Sequence, residues 1–149
     1  MARIDYTGLL RATKDVLEAD PNVRAAWATV EIGRAVIPTA ASPHINIYEG
    51  RRTPSVQVIA GGTIQWYFVR WTIVVSVFSG EGMEDAMMQR DELLGHVEVA
   101  MMASRNVGGF LPNKPLLLLG GELMSNKGEV GFWAQGTLDL QAEIKATTN

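Results

Sequence analysis

QWYFVRWTIVVSVFS, Gln65 to Ser79, is the stretch on which the fold turns. Val69, Trp71, Ile73, Val75 and Val77 fall on one side of an extended chain. Arg70, Thr72, Val74, Ser76 and Phe78 fall on the other, which is the period of two that a β-strand imposes. Aromatic bulk sits on both sides, Trp66 and Phe68 on one face and Tyr67 and Trp71 on the other. An antiparallel strand of that kind has two covering layers, or one covered face and a subunit interface.

Downstream, Gly80-Glu81-Gly82 ends the strand and Met83 to Ala103 takes helical spacing. Met83, Met87, Leu94, Val97 and Met101 form one stripe, with Ala86, Leu93 and Ala100 beside it. Asn106-Val-Gly-Gly109 stops this helix, and Gly95 lies inside it. Leu116 to Leu119 reads as a short buried strand between Pro115 and Gly120-Gly121. Phe132, Ala134, Gly136, Leu138, Leu140, Ala142 and Ile144 then alternate strictly with Trp133, Gln135, Thr137, Asp139, Gln141, Glu143 and Lys145. That is a long strand with one buried and one wet face.

Upstream, Tyr6, Leu9, Leu10, Thr13, Val16 and Leu17 predict an amphipathic helix over Asp5–Ala19, stopped at Asp20-Pro21 because the residue before proline is pushed out of the α region. Val23 to Ile32 suits helix through its alanines and strand through Trp27, Thr29, Val30 and Ile32, with strand slightly preferred. A loop of small residues, Gly33 to Pro43, leads to a short strand, His44 to Glu49. Gly50 to Thr63 reads as a long excursion between strands, with Ser55-Val-Gln-Val-Ile59 as a hairpin arm. The expected fold class is α+β: a single domain with a central, mostly antiparallel or mixed sheet, flanked by an N-terminal helix and one long middle helix.

A chain of 149 residues buries roughly 70% of its unfolded surface and needs no staple to fold. There is no cysteine, which removes disulfides and thiol chemistry together. The net charge of −3 is too small for an acidic tail or a phosphate-binding surface. The N-terminal 21 residues mix charges among apolar positions and do not read as a signal peptide. Trp66 to Phe78, broken by Arg70, is too short to cross a bilayer as a helix. Seven methionines, with Met87-Met88 and Met101-Met102 in pairs on one helix, exceed what a single narrow core stripe takes up.

No reacting constellation stands out. His44 and His96 lack any paired-ligand spacing, so each reads as a surface or strand-end imidazole. Glu81, Glu84, Asp85, Asp91, Glu92 and Glu98 crowd the middle helix. The first three suit the positive end of the helix dipole and the others its solvated face. Gly80-Glu81-Gly82 lacks the third glycine and the lysine of phosphate loops, and its glutamate would repel a phosphate. No serine sits in a nucleophile elbow. No catalytic, metal or cofactor residue is therefore assigned. Arg51-Arg52 is the one adjacent basic pair, and with Thr53, Gly61, Gly62 and Trp66 it makes the candidate interface.

The order of these elements resembles that of the tail terminator (tail completion) proteins of long-tailed bacteriophages. The resemblance runs over residues 4–144 as a layout. It is carried by the helix ending near Asp20-Pro21, the strand Pro43-His-Ile-Asn-Ile-Tyr-Glu49, the strand Arg70-Trp-Thr-Ile-Val-Val-Ser-Val-Phe78, the helix bearing Asp91-Glu-Leu-Leu94, and the strand Gly136-Thr-Leu-Asp-Leu-Gln-Ala-Glu-Ile144. It departs from the family in its Thr53-to-Gly62 loop and its Leu116-to-Glu129 region.

The resemblance implies a non-enzymatic virion protein without cofactors. Its subunits would close into a homohexameric ring that caps the tail tube and joins it to the head, assembled in the host cytoplasm. The implied partners are further copies of itself, the tail tube protein and a head–neck connector protein, with no membrane. The Gly50–Thr63 loop would face either a neighbouring subunit or the lumen, where its arginines would meet passing DNA without sequence preference. Two other expectations stand beside this one: another neck or tail component (a head–tail connector or tube subunit), and a small-ligand enzyme or binding domain using the acidic helix.

Overall fold

The structure is a computed structural model that describes residues 2–54, 59–60, 63–64, 66–111 and 115–148. In chain order the elements are β1 (Ala2–Arg3), α1 (Tyr6–Ala19), α2 (Pro21–Ala25), β2 (Thr29–Ile32), β3 (His44–Pro54), β4 (Ile59–Ala60), β5 (Thr63–Ile64), β6 (Trp66–Ser79), α3 (Met83–Ala103), β7 (Leu117–Gly120), β8 (Leu123–Lys127), β9 (Phe132–Lys145) and β10 (Thr147–Thr148). The fold is α+β, with a mixed six-stranded sheet in the order β2-β3-β6-β9-β7 and β8 also paired to β9.

β6 is the central strand. It pairs antiparallel with β9 over its whole length, from Trp66↔Lys145 to Ser79↔Phe132, and with β3 on its other side. One face of the sheet is covered by helices. Ile45, Ile47, Val69, Trp71, Ile73, Val75, Leu138 and Leu140 on that face pack with Leu9, Leu10 and Leu17 of α1 and with Leu93, Val97 and Met101 of α3 in one core.

α1 begins at Asp5, whose carboxylate accepts from the Gly8 amide. Asp20-Pro21 ends α1 as expected, but it also starts α2. The Asp20 side chain accepts from the Asn22 and Val23 amides, and Pro21 occupies the first turn, where its missing N–H costs nothing. The stretch Val23–Ile32 is therefore helix first and strand second, split around Trp27.

β2 runs parallel to β3. Parallel neighbours need a crossover rather than a hairpin, and residues 33–43 supply it as a strap. It is clasped by side chains on the sheet's open face, the one away from the helices. The Asn46 side chain accepts from the Arg34 amide at 3.0 Å and donates to the Arg34 carbonyl at 2.8 Å. The Tyr48 hydroxyl also donates to that carbonyl at 2.8 Å, and Ser42 Oγ accepts from the Phe78 amide at 2.8 Å.

Three further expectations are corrected. The His44–Glu49 strand extends to Pro54, so Gly50–Pro54 is strand rather than loop, with a register irregularity between Glu49 and Arg52. The Leu116–Leu119 strand is real, but only Leu116 is buried; Leu117 and Leu119 are exposed because β7 lies at the sheet's edge. The buried stripe of α3 is Ala86, Arg90, Leu93, Val97, Ala100 and Met101. Met87 faces solvent and Leu94 is half-buried. The true stripe is rotated towards an arginine that an apolar count discards.

Candidate assembly surfaces

His44 sits at the first position of β3, as its place after Pro43 suggests, but it is fully buried rather than at the surface. Neither ring nitrogen has a hydrogen-bond partner. Glu31 Oε1 stands 3.7 Å from Nε2, too far for a hydrogen bond, and itself ion-pairs with Arg34 at 2.7 Å. Burial pushes the imidazole below its ordinary 6.5; Glu31 opposes that shift and Arg34 adds to it. Burial therefore favours the neutral form of the imidazole.

His96 is half-exposed on α3, 3.8 Å from Glu92. It lines a cleft of about 440 Å³ with Asn22, Ala25, Pro43 and Gln89. Among the described residues, no three His, Asp or Glu side chains gather as a metal site. Asp85 is engaged locally, accepting from Ser79 Oγ at 2.6 Å and from Gln89 Nε2 at 2.7 Å. Glu81, Glu84, Asp91, Glu92 and Glu98 are exposed.

Arg51, Arg52 and Thr53 lie on the outer end of β3, all exposed. Arg52 sits over the Tyr67 ring, 5.6 Å from its centroid, a geometry in which ring and cation attract. Arg70, exposed on β6, stands on the other face of the sheet from Arg52, because Arg52 pairs with Val69. The register irregularity beside it is pinned from α1: the Tyr6 hydroxyl donates to the Arg70 carbonyl and accepts from the Gly50 amide at 3.3 Å. Burial, ahead of other causes, raises the Tyr6 hydroxyl above its ordinary value of 10.0. A side chain at Gly50 would put a Cβ 2.8 Å from the Arg70 carbonyl oxygen, so glycine is required there. Trp66, half-buried, pairs in register with Lys145. Gly61 and Gly62, and Ser55 to Val58 of the supposed hairpin arm, fall outside the described residues.

Other surfaces were not legible as sites. Trp27 is 87% exposed and has φ of +58°, a left-handed conformation that is an outlier for a bulky residue. On the open face of the sheet, a trough of about 590 Å³ runs between the strap and β8, lined by Val36, Ile37, Tyr48, Val74, Met124 and Trp133 among others. β8 was not anticipated. All five of its residues are exposed, so it has no buried face to write a period of two into the sequence. It pairs antiparallel with β9 from Leu123↔Gly136 to Lys127↔Phe132, and Arg90 of α3, only 3% exposed, ties the two strands together by donating to the carbonyls of Met124 and Gln135, both at 3.2 Å. A lone arginine amid the carboxylates of α3 was the available signal.

No family model matches the sequence, and no curated protein matches it. Among solved structures, one chain whose name describes no function is similar over 98% of this chain and 99% of its own, at 16% identity and a TM-score of 0.43.

Proposed function

We propose that the chain is a non-enzymatic structural subunit of a phage tail, a tail terminator whose copies close into a ring, hexameric in the family it resembles. Its partners would be the tail tube protein, a head–neck connector protein and DNA passing through the lumen. The observation that supports this best is the amount of large apolar side chain left in water on separate faces of a well-packed domain. Met88, Val99 and Met102 lie along α3, Leu117, Leu119, Leu123 and Met124 along β7 and β8, and Trp27 and Val36 on the loops flanking β2. Exposed large apolar side chains grouped on a surface mark association sites, and placement on several faces suits a head-to-tail ring better than a single two-fold contact.

Native mass spectrometry of the purified chain, alone and with tail tubes, tests the reading. A hexamer, or a monomer converted to one by tubes, is expected. A chain that stays monomeric in both would refute it. The open-face trough favours a second reading, a ligand-binding domain, because its volume falls within the range of small-molecule sites. A stoichiometric small molecule retained in the same spectra would select that reading.

A further inference from the structure

None of residues 33–43, the strap between β2 and β3, is buried, and polar bonds tie it down at both ends. At one end Asn46 and Tyr48 bind the Arg34 backbone. The Arg34 side chain pairs there with Glu31 and donates from Nε to the Val36 carbonyl at 3.0 Å. At the other end Ser42 Oγ accepts from the Phe78 amide. Segments with so little buried apolar surface open locally at small cost. His44 and Asn46 are alternate residues of β3 and share the face that the strap crosses. Both are 0% exposed. Asn46 gives its amide to the strap, whereas His44 has neither ring nitrogen partnered.

We propose that protonation of His44 drives the strap off the open face, bringing the imidazole to water while the sheet and helices stay folded. Beneath the closed strap an imidazolium would be a buried charge with no hydrogen bond from either N–H. The charged groups facing it are Glu31 from β2 and Arg34 from the strap. Glu31 is already paired with Arg34 at 2.7 Å, and Arg34 carries the same sign as the imidazolium. The strands beside it present the uncharged Thr29 of β2 and Ser76 of β6 in register. Any turn of Glu31 towards the ring weakens the Arg34 tether, so both effects favour opening. With the strap lifted the ring meets water and titrates near its ordinary 6.5, whereas burial holds the closed form below that value. Between the two values only the open form takes up the proton. The opening constant is therefore flat above pH 6.5 and rises by up to about tenfold per pH unit below it. Ala35, Val36 and Ile37 of the strap form one wall of the open-face trough, so acid also widens the trough.

Amide hydrogen exchange of the full chain, followed by NMR and corrected for intrinsic rates, tests this. The Arg34 and Phe78 amides report on the strap, because each donates across one end of it. Their protection should lie below that of the β6–β9 amides at every pH, and should fall at least about tenfold between about pH 7.5 and about pH 5. In His44→Gln the fall should vanish. A second variant, Ser42→Ala, removes one tether and leaves the imidazole in place. Coupling between opening and proton uptake is reciprocal, so His44 in that chain should titrate at a higher pH than in wild type, read from its ring resonances. This arm decides the matter if His44→Gln does not fold. Protection at Arg34 and Phe78 that equals the core's or ignores pH overturns the proposal. So does an undiminished fall in His44→Gln, or a His44 titration that Ser42→Ala leaves unmoved.

Discussion

His44 is the residue whose burial has the most direct consequence for stability. Its folded pKa is depressed, so between that value and the ordinary 6.5 the unfolded chain binds the proton that the folded chain excludes. Its contribution is complete above pH 6.5 and is lost as pH falls below it, at no more than about 1.4 kcal/mol per pH unit for one group. Urea unfolding at successive pH values should show stability falling below 6.5, with a shallower fall in His44→Leu. Equal slopes in the two chains would mean that the imidazole is charged in the fold. Trp27 gives an opposite kind of prediction. Its side chain gains little by burial, and its left-handed backbone costs about 1 kcal/mol or more in a non-glycine residue. Trp27→Gly should therefore raise the unfolding free energy of the subunit by up to about 1 kcal/mol. A loss of stability would show that the exposed ring contributes to the fold.

At the scale of elements, one buried cation links α3 to β8. Arg90→Met keeps the apolar stem but removes the donors to two carbonyls, and a hydrogen bond to a charged group is worth about 1.5–3 kcal/mol. A loss of about 2 kcal/mol is expected, with faster amide exchange concentrated in Leu123–Lys127. Exchange unchanged there would show that β8 holds to β9 without α3. Leu94→Ala should cost about 1–2 kcal/mol, below the range for a fully buried leucine, because Leu94 is only half-buried against Gly136. β6, β9, α1 and the limits of α3 were legible because each is long, so its pattern repeats enough times to be read. α2 was hidden because five residues hold too few repeats, although its cap, Asp20 before Pro21, is written in the sequence.

At the scale of the whole molecule, the exposed apolar side chains and the divided charge make association the property to measure. Folded oligomers are stabilised by mass action, so Tm should rise with protein concentration. A Tm flat across a hundredfold range would indicate a monomer. The candidate patch was only partly legible. Arg51 and Arg52 stand adjacent in the sequence and declare themselves, whereas strand pairing alone sets Arg70 on the opposite face from Arg52. Met88, Val99 and Met102 of α3 lay outside the stripe assigned to the core, and they are exposed.

By itself the sequence determined the α+β class, the long strand Gln65–Ser79, the long middle helix and the alternating last strand, because periodicity is a property of neighbours along the chain. It also located both signs of charge. The tertiary structure alone decided which side of α3 is buried, since that depends on what the helix lies against. It alone turned Arg90 inward and His44 away from water, because burial of a polar group is set by distant elements closing over it. And it alone decided that β2 runs parallel to β3 beneath a strap, because strand direction follows from the path of the connection rather than from the residues of either strand.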